Sequence, residues 1–93
     1  MRSTRRALVP VAIGTEDIEF VGITDVLARA GIEVVVATVE SEREIRLMKG
    51  IRSMADCRLD DGGPMDFDVV AVPGGVPGAM RLGESQHLRE TLV

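Results

Sequence analysis

Two short stretches of this chain carry residue types suited to chemistry. One is Pro73-Gly74-Gly75, where backbone N–H groups stand unobstructed by side chains, as an oxyanion hole or an anion site requires. The glycine spacing does not fit the dinucleotide fingerprint, and no Lys followed by Ser or Thr closes a Walker loop, so a nucleotide site is disfavoured. A tight strand-to-loop turn that uses glycine for its backbone angles explains the same residues, and both readings stand. The other stretch is Gly14-Thr-Glu-Asp-Ile-Glu19. Glu19 falls one turn into the helix expected after the first strand, so its carboxylate can point back over the carboxyl edge of a sheet. Acidic residues in a first helical turn also serve the helix dipole, and spacing alone does not make Glu19 a catalyst.

Cys57 lies in Ala55-Asp-Cys-Arg-Leu59 with Arg58 beside it and no histidine nearby in sequence, the setting of an inert or mildly reactive thiol. His87, among polar residues, reads as solvated. One histidine and one distant cysteine do not make a metal site, and no cofactor is expected. The stretch after Gly75 holds no cysteine and no serine on a sharp strand-to-helix turn. The site reads as half present.

These residues need elements to hold them. Ala7 to Ile13 reads as a short strand of the parallel type, and Gly14 lets the chain turn into a helix from about Asp17 to Ala30, capped by Thr15 and ended by Gly31. Val21, Val26, Leu27 and Ala30, with Ile18 at the first turn, give its apolar stripe. Glu33 to Val39 is a second strand, and strand-helix-strand makes the class α/β with a parallel sheet. Ile45 to Met48 and Ile51 to Met54 flank Lys49-Gly50 as a small hairpin. Asp60-Asp-Gly-Gly-Pro64 is a loop. Phe67 to Val72 is an apolar run read as a strand covered on both faces, and sites of open α/β sheets lie at the ends of such strands. A short helix over Gly78 to Leu82 follows, then one capped by Ser85 and running to Val93.

Composition sets the outer limits. Ninety-three residues make at most one domain. Hydrophobic residues are 45% and aromatic residues 2%, so the core is aliphatic, with methionines such as Met48, Met54 and Met80 expected to fill its gaps. A net charge of −4, with basic residues scattered beyond the Arg2 to Arg6 cluster, argues against a nucleic-acid surface. A single cysteine excludes an internal disulfide framework and fits a reducing compartment, with cytoplasm as the default. The Arg-rich, acid-free first six residues also fit a remnant of an organellar transit segment, and no stretch approaches membrane-spanning length.

Taken in order, Arg6-Ala-Leu-Val, Gly14-Thr-Glu-Asp-Ile-Glu19, Leu27-Ala-Arg-Ala-Gly-Ile32 and Asp68-Val-Val-Ala-Val-Pro-Gly-Gly75 resemble the ThiJ/PfpI family. The resemblance runs through nearly the whole chain. It implies a flavodoxin-like sandwich with a mostly parallel sheet, related to class I glutamine amidotransferases and roughly twice this length in one piece. Residues 1–93 would then be the N-terminal half of a single domain, incomplete by itself. In the family the reactive group is a cysteine on an elbow after the next strand. A glutamate at the position of Glu19 shares a hydrogen bond with it, and the backbone around Gly75 contributes to the oxyanion hole; Glu19, Gly74 and Gly75 are all present here. Cys57 does not occupy the nucleophile position. The implied chemistry is glyoxalase-like or deglycase-like action on reactive dicarbonyls or glycated groups. A non-enzymatic redox sensor or chaperone is the alternative, and proteolysis or thiamine biosynthesis a further one. A homodimer through the first helix, with Ile18, Asp25 and Arg29 near the contact, follows from the same resemblance. A separate polypeptide carrying the elbow cysteine is expected as partner, because the strand ending at Pro73 would otherwise leave an unpaired edge.

Overall fold

The computed structural model describes residues 4–61, 66–86 and 88–89. Its centre is β1 (Arg6–Val11), whose Ala7, Leu8, Val9 and Val11 are wholly buried. β1 pairs in parallel with β2 (Glu33–Thr38) from Arg6 opposite Glu33 to Val11 opposite Thr38. On its other side Ala7 and Leu8 pair in parallel with β6 (Val69–Val70), and β5 (Cys57–Arg58) lies parallel to the outer side of β2. The order across the sheet is β5, β2, β1, β6, which puts Cys57 at one edge and the strand leading to Gly74 at the other. The expected hairpin is present apart from this sheet, with β3 (Glu44–Arg46) antiparallel to β4 (Arg52–Met54).

β6 is shorter than the Phe67 to Val72 strand read from sequence, and Pro10 accounts for its early end. Ala71 N–H donates to the Leu8 carbonyl, so the even residues of β1 turn their polar groups toward β6. The next rung of a parallel ladder would need an N–H from residue 10, and proline has none. Because β6 is also an edge strand, Val69 and Val72 are exposed rather than covered on both faces.

Alternation along β1 divides the core between the two faces of the sheet. Leu8 packs with Ala12, Ala37, Leu59, Leu82 and Leu88 on the face that carries α2 (Val76–Gly83). Val9 and Val11 pack with Phe20, Ile45, Leu47 and Ala55, under the hairpin and α1 (Asp17–Arg29). The aliphatic core is as expected, but methionines do not fill it: Met48, Met54 and Met80 are all exposed.

α1 has the expected length, and Gly31 at φ +81° follows its C-cap. Two details differ. Thr15 is buried and accepts the Ala12 N–H, which ends β1 at Val11, so the cap passes to Glu16, whose carboxylate accepts the N–H groups of Ile18 and Glu19. The buried seam is Phe20, Ile23 and Leu27, whereas Ile18, Val21 and Val26 are 80%, 58% and 64% exposed. The helix is apolar on two faces, and the sheet takes the face with the bulkier Phe20. Downstream, α2 starts two residues before the expected Gly78. Ser85 accepts the Leu88 N–H as a cap would, while His87 and residues 90–93 of the expected last helix lie outside the described residues.

Candidate active site

The carboxyl ends of β1 and β6 bring together the two stretches that the sequence singles out. Glu19 Oε1 accepts the Gly74 N–H at 2.9 Å, across 55 positions of chain. The Gly74 carbonyl in turn accepts the Glu16 N–H at 2.9 Å. The first turn of α1 thus holds the Gly74 residue by its donor and its acceptor. Glu16 is acidified below the usual carboxylate range, first by the Glu19 N–H it accepts and then by that of Ile18.

Close contacts crowd the glycines along this seam, and at Gly75 the backbone angle favours glycine as well. A Cβ on Gly74 would lie 2.6 Å from Glu19 Oε1. On Gly75, at φ +106°, it would lie 2.7 Å from Glu16 N and 2.8 Å from the Gly14 carbonyl oxygen. A Cβ on Gly78 would lie 2.6 Å from Thr15 N, so α2 rests directly on the backbone of the β1–α1 loop. No side chain caps α2, and Gly75 is its N-cap. The first N–H groups of a helix have no partner within it, which leaves the start of α2 as a donor surface for an oxygen carrying negative charge.

The hairpin closes one side. Met48 N–H donates to the Thr15 carbonyl at 2.9 Å, Gly14 N–H to that of Arg46 at 3.0 Å, and Lys49 N–H to Asp17 Oδ1 at 3.0 Å. Met48 Cε is 3.1 Å from where a Gly75 Cβ would stand, so its thioether lies against the loop. Asp17 is buried, and its Oδ2 has no hydrogen-bond partner among the described residues. On the other side an open, apolar groove of about 570 Å³ runs from Glu19 past Gly22, Ile23, Val26 and Leu27 to Ala71.

Cys57 is remote from all of this. Three strand spacings separate β5 from β6, about 14 Å at the usual interstrand distance. Burial, then the charges of Asp56 and Asp61, push its thiol above the ordinary range, so it is a poor nucleophile at neutral pH. Among the described residues no three His, Cys, Asp or Glu side chains gather as a metal site would need, and no helix is long and apolar enough to cross a membrane.

Sequence reasoning did not single out Glu16, Asp17, Glu40 or Arg81 as structural ties of this site. Glu16 had a signal, since it stands three residues before Glu19 at a helix start, but Thr15 has the stronger cap propensity. Glu40 takes the Ile13 N–H at 2.9 Å and the Nε and Nη2 donors of Arg81, a pairing 41 positions apart with no local mark.

A parallel sheet covered on both faces, with a carboxylate and a glycine loop meeting at the carboxyl ends of its strands, defines a flavodoxin-like α/β protein with a candidate site in the usual place. Residues 5–92 match the DJ-1/PfpI family, and the chain belongs to it. It is 41% identical over 88 residues to protein DJ-1 homolog B of Arabidopsis thaliana, covering 95% of this chain and 20% of that protein. It is 36% identical over 77 residues to the glutathione-independent glyoxalase DJR-1.2 of Caenorhabditis elegans, covering 83% of this chain and 40% of that one. The structure of oxidized Toxoplasma gondii DJ-1 superposes with a TM-score of 0.92 at 43% identity, over 96% of this chain and 48% of that chain. The chain therefore spans less than half the length of each of these relatives.

Proposed function

We propose that this chain supplies the carboxylate and the oxyanion-binding backbone of a cysteine-dependent site acting on small reactive dicarbonyls or glycated groups. The observation that carries the reading is the Glu19–Gly74 hydrogen bond, which sets a carboxyl group next to the Gly75 amide at one sheet edge. A carboxyl group that donates a hydrogen bond to a sulfur favours the thiolate, and with the Gly74 N–H taken by Glu19 it is the Gly75 amide that is left to stabilise oxyanion character on an attacked carbonyl. The glyoxalase among the relatives supports the choice of a dicarbonyl substrate.

The nucleophile comes from outside these 93 residues, because Cys57 sits at the opposite edge of the sheet with a raised pKa. The free edge of β6 and the apolar groove between Glu19 and Ala71 are where a following strand and its elbow cysteine would pack, in the same polypeptide or in a partner. The test uses the protein with that cysteine present, following thiol alkylation against pH. Glu19→Leu is expected to raise the apparent thiol pKa and slow alkylation at neutral pH. An unchanged titration reduces Glu19 to a helix-start carboxylate.

A further inference from the structure

Helix α2 presents Gly75 at its start and is tied to the sheet near its other end by an ion pair. Glu40, two residues past β2, keeps only 11% of its side chain exposed, against 47% for Arg81 in the last turn of α2. Arg81 donates from Nε to one carboxylate oxygen and from Nη2 to the other. The oxygen that takes Nε also accepts the Ile13 N–H at the exit of β1. One carboxylate therefore joins the ends of β1, β2 and α2. A two-point guanidinium–carboxylate pair fixes orientation as well as distance, which an apolar contact does not.

Arg81 stands six residues after Gly75, about 9 Å along a helix axis. Between them Gly78 rests on the backbone of Thr15 with no room for a side chain, and this close contact serves as a fulcrum. Tilting α2 about Gly78 moves Arg81 and Gly75 in opposite directions, so holding one end holds the other. A polar groove of about 410 Å³ lies beside the pair, lined in part by Asp60, Glu84 and Ser85. An Arg81 released from Glu40 has room to swing there and acidic neighbours to meet.

We propose that Glu40 is a positioning residue, which acts through Arg81 to set the tilt of α2 and with it the direction of the Gly75 N–H. It touches no substrate in this scheme. The inference rests on the reading of the Gly75 amide as the oxyanion donor, but its readout needs neither the elbow cysteine nor a dicarbonyl. Failure here leaves the cysteine chemistry standing, and an inactive complete protein would leave this result untouched.

The experiment is amide hydrogen exchange by NMR on the wild type, Arg81→Met, Arg81→Lys and Glu40→Gln. The reporters are the Glu16 and Ala79 N–H groups, which donate to the carbonyls of Gly74 and Gly75. The references are the Glu33 and Asp56 N–H groups, which donate to Arg5 and Val36 elsewhere in the sheet. In Arg81→Met the reporters should exchange about ten-fold faster while the references change by less than about two-fold, as expected of local opening. The Gly75 amide resonance should shift with them, and Arg81→Lys should return part of the way. Uniform acceleration of all four amides would reduce the pair to a contribution to global stability, and unchanged reporters would show the loop to be independent of it. Either result overturns the proposal.

Discussion

A methyl group at position 74 would meet the end of the Glu19 side chain, which can swing, whereas one at position 75 would meet backbone atoms of Glu16 and Gly14, which cannot. The two glycines should therefore fail differently. Gly74→Ala is expected to displace the Glu19 carboxylate and cost about 1 kcal/mol, the worth of one hydrogen bond. Gly75→Ala adds a side chain to a residue at φ +106° and should cost about 3 kcal/mol through strain and overpacking. Urea unfolding of both variants measures this, and equal losses would contradict the packing described. The sequence singled out Glu19 and the glycine pair by residue type, and the structure brings Glu19 and Gly74 together. Glu16 as cap was not legible, because cap rules rank Thr15 above it, and only the buried hydrogen bond from Ala12 shows that Thr15 is already engaged.

Elements were legible where periodicity was strong and misread where tertiary partners decided. The α1 boundaries follow from Gly14 and Gly31, but its buried side could not be chosen from a helix that is apolar on two faces. Phe20→Ala should cost about 3 kcal/mol by cavity formation, against less than about 0.5 kcal/mol for the exposed Val21→Ala, as thermal melts would show. Equal effects would reverse the face assignment. β6 was overread because the rung that Pro10 cannot supply is visible only once β1 is known to be its neighbour. β5 is two residues long and carried no strand signal at all. The Glu40 contact also predicts a pH dependence. Arg81 holds the Glu40 carboxyl below its ordinary value of 4.5, so the folded state favours the charged form. Its contribution is complete above pH 4.5 and is lost as pH falls through the depressed value. Because Arg81 is half exposed the pair is worth about 1 kcal/mol or less. Below pH 4.5 the melting temperature of the wild type should fall more steeply than that of Glu40→Gln, and parallel curves would remove Glu40 from the acid response.

At the scale of the whole molecule, five of the exposed apolar residues lie on α1 and at the β6 edge. Ile18, Val21 and Val26 project from α1, and Val69 and Val72 mark the open edge at β6. Asp25 and Arg29 pair with each other at 3.0 Å, which leaves Ile18 as the apolar feature of the proposed helix contact between two copies. Ile18→Glu would bury an unpaired charge there and should weaken association by at least about ten-fold in sedimentation equilibrium. A monomeric wild type would refute that contact. The sequence motifs were enough to indicate the fold, but they could not show that Cys57 belongs to the far edge of the sheet, since β5 has no pattern of its own. That separation makes the central claim testable with the chain in hand. Methylglyoxal consumption by the purified 93-residue protein and by its Cys57→Ser variant should in both cases be no faster than the uncatalysed reaction, because none of the residues proposed for the site, Glu19, Gly74 and Gly75, carries a thiol to attack a carbonyl. Sustained turnover that survives Cys57→Ser would contradict a site that takes its nucleophile from outside these residues.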